Sequence, residues 1–120
     1  MTSNEMLCHL ADAFRAMMGE RTISSKQTLV SRTLIKWVAL HSPLEWPKGV
    51  PTMPEVDQRK AGTRPAQFES DRTAVIDLLR RFASPETKHT SHPMFGDLTP
   101  HEWRIWGYRH VDHHLRQFGV

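Results

Sequence analysis

The chain has 120 residues, 38% of them apolar and 24% charged, with a net charge of +3. That length holds one domain (residues 1–120) with one core, and no apolar run nears the ~20 residues of a membrane span. The basic residues are scattered rather than gathered into a nucleic-acid footprint, and Cys8 stands alone, so an internal disulfide is excluded. The polar start lacks a secretory leader, and a cytoplasmic location is expected.

Residues 2–18 predict a first helix. Thr2 and Glu5 have capping-box spacing, and Gly19 suits the left-handed turn that closes a helix. Met6, Leu10, Ala13, Phe14 and Met17 recur at helical spacing as its apolar stripe. His9 falls at the stripe's edge, where an imidazole can pack, line a rim or ligate a metal. Cys8 falls nearly opposite the stripe, and Asp12 on the polar side reads as a solvated carboxylate.

Residues 27–41 predict a second helix with Val30, Leu34, Trp37, Val38 and His41 on one face, stopped by Ser42-Pro43. Residues 42–64 hold Pro43, Pro47, Pro51 and Pro54, which forbid a long helix and predict an ordered, extended excursion. Its Lys48, Arg59, Lys60 and Arg64 read as a solvated basic loop with a weak pull on acidic small ligands. Residues 65–83 predict a third helix, with Phe68, Val75, Ile76, Leu79 and Phe82 turned inward. Residues 84–97 form a loop that delivers His92-Pro93-Met94-Phe95-Gly96 to the last helix. No strand-like alternation persists, so the fold class is all-α and bundle-like.

Residues 99–120 carry the strongest signals. Thr99, Pro100 and Glu102 spell a capped helix start, and Gly119 a stop. Trp103, Gly107, His110, His114 and Gln117 share one face of this helix. His110 and His114 are four apart and project in parallel, so they can share one ion. Such a pair by itself also arises on surfaces and in cores without a metal.

The segment HPMFGDLTPHEWRIWGYRHVDHHLRQFGV resembles the C-terminal hallmark of the DinB/YfiT-like four-helix bundles. In particular it resembles a bacterial branch that pairs HP-x-FG-x-LT-x-x-EW with H-x-x-HH-L-x-Q. NEMLCHLADAFRAMMGER and LIKWVALHSPLEWPKGVPTMPEVD resemble that branch's histidine-bearing helix and its second block, so the likeness spans nearly the whole chain. It implies a DinB-like up-down-down-up helical bundle. The superfamily pattern places a helix before the one that carries His9, whereas this chain starts almost on that helix's cap. A missing or shortened first helix is therefore expected, and with it a bare strip of core that a homodimer would cover.

The same resemblance implies one divalent metal, zinc or nickel, on His9, His110 and His114. His113 is expected beside the site, with substitution for His114 as its alternative. Three neutral imidazoles leave coordination positions open, the pattern of a catalytic site. Relatives in the superfamily include thiol-dependent transferases and isomerases. The implied activity is a metal-dependent thiol S-transferase that joins a low-molecular-weight thiol to a small electrophile. Two alternatives stand beside it: a non-catalytic, metal-stabilised bundle with an accessory or stress-response role, and a metal-dependent hydrolase. No general base is placed, since Asp112 points away from the His110–His114 face and Asp12 is read as solvated.

Overall fold

The computed structural model describes residues 1–120 and is all-α. Its helices are α1 (Ser3–Met17), α2 (Lys36–His41), α3 (Phe68–Ala83) and α4 (Pro100–Arg116), with a π-helical turn at Ser31–Ile35 and a 3-10 turn at Pro54–Val56. No helix is long and apolar enough to cross a membrane. The chain divides into two compact units, Met1–Ser24 with Thr52–Thr90 and Ser25–Pro51 with Ser91–Val120.

In the first unit, α1 starts on its capping box. The Glu5 N–H donates to Thr2 Oγ1 at 3.1 Å, and the Thr2 N–H donates to the Glu5 carboxylate at 2.7 Å. The chain leaves α1 through Gly19 at φ 78°. The buried surface is wider than the apolar stripe, because every residue from Met6 to Phe14 is buried. Cys8 is among them, against the expectation from its place on the wheel. Burial, followed by the nearby Asp71 carboxylate, pushes its thiol up to about 11, so it is an inert thiol.

α1 packs on α3 through an edge-to-face contact of Phe14 and Phe82, with ring centroids 4.7 Å apart. On α3 the buried positions are Val75, Leu78 and Phe82, at spacings of three and four. Leu79 and Ile76 are only half-buried and Phe68 is exposed, which corrects the expected inward set. The helix begins at Phe68 rather than at Pro65, after an extended Gln67, and the Ala66 N–H is held by the Asp71 carboxylate at 3.1 Å.

Asp12 is the main correction in this unit. It is fully buried rather than solvated, and residues 58–63 are built onto it. Its carboxylate accepts from the Thr63 N–H at 2.7 Å, from Thr63 Oγ1 at 2.8 Å and from Gln58 Nε2 at 3.0 Å. The Arg15 and Arg21 guanidinium groups lie at 3.4 and 3.5 Å. Arg21 also donates to the carbonyls of Glu55 and Ala61, at 2.9 and 2.7 Å. Gly62 is pressed into the same turn. A Cβ there would fall 2.7 Å from the Asp57 carbonyl carbon and 2.7 Å from Gln58 Nε2. Backbone cannot yield as a side-chain tip does, so Gly62→Ala is expected to cost about 1–3 kcal/mol in urea unfolding.

In the second unit the expected helix over residues 27–41 is only partly α-helical. The Thr33 hydroxyl donates to the Leu29 carbonyl at 2.6 Å and competes for the acceptor of a backbone N–H. The ladder widens there into the π turn, and the Lys36 N–H reaches back to the Ser31 carbonyl. This changes the phase of the helix. Ser31 and Leu40 are buried, whereas Val30, Leu34 and Trp37 are 55%, 63% and 57% exposed, so the expected inward face is largely outward.

α4 starts on its own capping box, with the Glu102 N–H on Thr99 Oγ1 at 3.1 Å and the Thr99 N–H on the Glu102 carboxylate at 3.0 Å. Two side chains fasten it to the segment around α2. Arg109 donates to the carbonyls of Ala39, Ser42 and Leu44, and Glu102 takes His41 at 2.9 Å and Lys36 at 3.5 Å. Ahead of α4, residues 92–96 close a tight turn in which His92 and Gly96 exchange backbone hydrogen bonds.

Candidate metal centre

His9 is buried on α1. Its Nδ1 lies 2.7 Å from the Val56 carbonyl, in the 3-10 turn. A carbonyl only accepts, so Nδ1 carries the proton, and Nε2 is the nitrogen on the far side of the ring from Val56. Fixing the tautomer from outside is how metal-binding histidines are usually oriented. A cavity of about 180 Å³ reaches His9, bordered by Thr52, Val56 and Gln58 and by Glu5 and Arg59. The last two are ion-paired, with Arg59 Nε 3.1 Å from Glu5. Arg59 holds the Glu5 carboxyl below the usual carboxylate range.

His110 and His114 sit on successive turns of α4, with ring centroids 5.0 Å apart and planes tilted by 41°. His114 is buried, and its Nδ1 is 3.3 Å from Gln117 Oε1. The Gln117 oxygen can only accept, so here too Nδ1 carries the proton. His110 is framed by aromatic rings, Trp106 at 4.7 Å and Trp46 at 5.9 Å, both edge-on. The segment that bears Trp46 is held in turn by Trp46 Nε1 donating to the Ala39 carbonyl at 2.8 Å.

His113 points elsewhere. Its Nε2 is 3.3 Å from the Gln117 amide nitrogen, and its ring lies 5.9 Å from Trp46. It lines a groove of about 600 Å³ with Trp46, Lys48, Tyr108, Arg109 and Arg116. Burial, followed by repulsion from Lys48, lowers its basicity against a smaller opposing pull from Asp112. Gln117 therefore steadies two neighbouring imidazoles at once. The sequence placed it on the histidine face without giving it this role; its spacing of three from His114 was the available signal.

Neither carboxylate considered as a base is at hand. Asp12 is consumed by Thr63 and Gln58, and Asp112 takes Arg116 Nε at 2.7 Å. What the residues offer is imidazole chemistry: nitrogen ligands whose Nδ1 atoms, in His9 and His114, are already engaged. Such a donor set fits zinc or nickel. No curated protein and no solved structure matches the chain. The model of one family matches residues 3–119, and the chain belongs to that family, DUF1569, described as proteins of unknown function.

Proposed function

We propose that His9, His110 and His114 hold one divalent ion, zinc or nickel, and that the chain is a DinB/YfiT-like metal-dependent thiol S-transferase acting on small electrophiles. The observation that carries the reading is the grouping of these three imidazoles. Each offers one ligand atom, and the atoms lie within 4.8 Å of one another. Three nitrogens around one zinc stand at Zn–N distances of ~2.0–2.1 Å. The Val56 carbonyl and the Gln117 amide set the tautomers of His9 and His114 in advance. With three neutral protein ligands, positions remain for water or substrate, and the ion supplies Lewis-acid lowering of a thiol's or a water's pKa.

The chain's own residues supply positioning. Trp46 and Trp106 hold His110 between aromatic edges, and the capped start of α4 fixes the direction of both its histidines. A low-molecular-weight thiol and a small electrophile are the proposed partners. Thiol addition needs no strong base once the thiol is ionised, which suits a site whose carboxylates are occupied. That same occupancy favours the second reading, a non-catalytic bundle that the metal merely ties together; hydrolysis, which needs a proton acceptor, fits less well.

The first test is metal content in protein purified without a histidine tag. About one zinc or nickel per chain is expected, lost in both His9→Ala and His114→Ala. No stoichiometric metal after reconstitution would end the metal reading. His110→Ala then separates the two roles. A catalytic site loses thiol transfer to a chromogenic electrophile with the fold intact, whereas a structural site loses melting temperature sharply.

A further inference from the structure

We propose that a second copy of this chain docks on the outward face of residues 29–37. Leu29, Val30, Leu34 and Trp37 are 72%, 55%, 63% and 57% exposed, and Ile35 adds to them at 40%. Val30, Leu34 and Trp37 have the spacing of an α-helical stripe in sequence, and all three are exposed around the π turn at Ser31–Ile35. Isolated exposed apolar residues are ordinary; five within nine positions of one helical segment are a patch.

Charge says what can cover it. Of the two basic residues of this segment, Lys36 Nζ is taken by Glu102 at 3.5 Å, and the Arg32 methylenes lie against Gly96, 3.1 Å from where its Cβ would be. No acidic residue occurs between positions 21 and 44. Arg32 is exposed but the segment holds no carboxylate, so a basic partner gains nothing there and the five apolar side chains are what a partner must cover. They need an equally apolar stripe opposite. A two-fold axis supplies one at equal concentration, because the same face of a second chain is self-complementary when run antiparallel.

Size agrees. The five side chains expose on the order of 500 Å² per chain, so a symmetric pair removes on the order of 1,000 Å², about the lower limit for a specific interface. The affinity is accordingly modest, and dilution should dissociate the pair. The inference is independent of the metal, since none of the residues involved is a proposed ligand.

Sedimentation equilibrium on the full chain over a dilution series tests it, with and without a chelator. Wild type is expected to run at twice the chain mass when concentrated and to fall toward one chain mass on dilution, with or without metal. Leu34→Glu and Trp37→Glu are expected to stay at one chain mass with unchanged helical circular dichroism, while Phe68→Glu, an exposed apolar position outside the face, still pairs. A wild type monomeric throughout overturns the proposal, as does a dimer that survives both glutamate substitutions. Monomeric wild type whose Trp37 emission shifts to the blue on vesicles of phosphatidylcholine and phosphatidylglycerol, with the shift lost in Leu34→Glu, overturns it in favour of a membrane surface.

Discussion

Acidification from pH 7 to pH 4.5 is expected to remove about 3 kcal/mol of stability through one side chain, His92. Its ring is buried, stacked on Phe95 at 4.3 Å with planes 9° apart and flanked by Trp106 at 5.7 Å. Its Nδ1 accepts two backbone N–H groups, from Met94 and Phe95, each at 3.1 Å. Protonation would put a donor against two donors in an apolar pocket, and burial lowers its pKa from 6.5 to about 3. The unfolded chain therefore takes up a proton near pH 6.5 that the folded chain refuses until about pH 3. The stabilisation is complete above the higher value and drains away between the two.

A second loss begins lower. Glu102 is held at about 2: burial alone would raise it, but hydrogen bonds from His41 and from the Thr99 amide, with Lys36 nearby, outweigh that. Its contribution is present above the ordinary 4.5 and is lost as pH falls from there toward 2. Urea midpoints measured on chelated protein across this range give the slope. In His92→Asn the amide oxygen can take the two N–H groups without titrating. That variant should be less stable at pH 7, through lost ring packing, yet flatter between pH 6.5 and 4.5. An unchanged slope in His92→Asn would assign the acid sensitivity to other groups.

Those features of the chain fixed by neighbours in sequence were legible in it. The starts of α1 and α4 depend on Thr2 with Glu5 and on Thr99 with Glu102, three residues apart, and both capping boxes form. The ends at Gly19 and Gly119 need only a positive φ that glycine tolerates. The second helix failed where two local effects compete. Its hydrophobic spacing is that of an α-helix, but the Thr33 hydroxyl takes the Leu29 carbonyl and the π turn reorients the stripe. Periodicity assumes a constant angle per residue, and one widened turn removes that assumption.

The candidate ligands follow the same division. His110 and His114 are paired by helix spacing alone. The state of His9 depends on a backbone carbonyl at Val56, 47 residues away, and a carbonyl leaves no mark in a sequence. The burial of Asp12 is hidden from the sequence for a related reason. A helical wheel places it on a polar side, but the donors that make burial tolerable come from Gln58 and Thr63, in a stretch whose prolines exclude helix without revealing its path.

Removing that carboxylate is expected to be the most damaging single substitution in the first unit. Asp12→Ala leaves the Thr63 N–H, Thr63 Oγ1 and Gln58 Nε2 without their acceptor, and the Arg21 guanidinium without its nearby charge. Buried donors stripped of a charged acceptor cost about 3–4 kcal/mol together, a large share of the 5–15 kcal/mol typical of a domain. Asp12→Asn keeps the volume but turns an N–H₂ toward donors, so it should recover only a minor part. The damage should be local before it is global. The amides of residues 56–63 are expected to lose hydrogen-exchange protection, and trypsin should cut after Arg59 and Lys60 in the variant well before it cuts wild type. Because the Val56 carbonyl orients His9 from the turn beside this loop, metal affinity should fall as well, in a protein whose α1 still carries every proposed ligand it had. Wild-type protection across residues 56–63 in Asp12→Ala would show that the loop is held by Arg21 and Gly62 instead, and that the buried carboxylate is not what positions it.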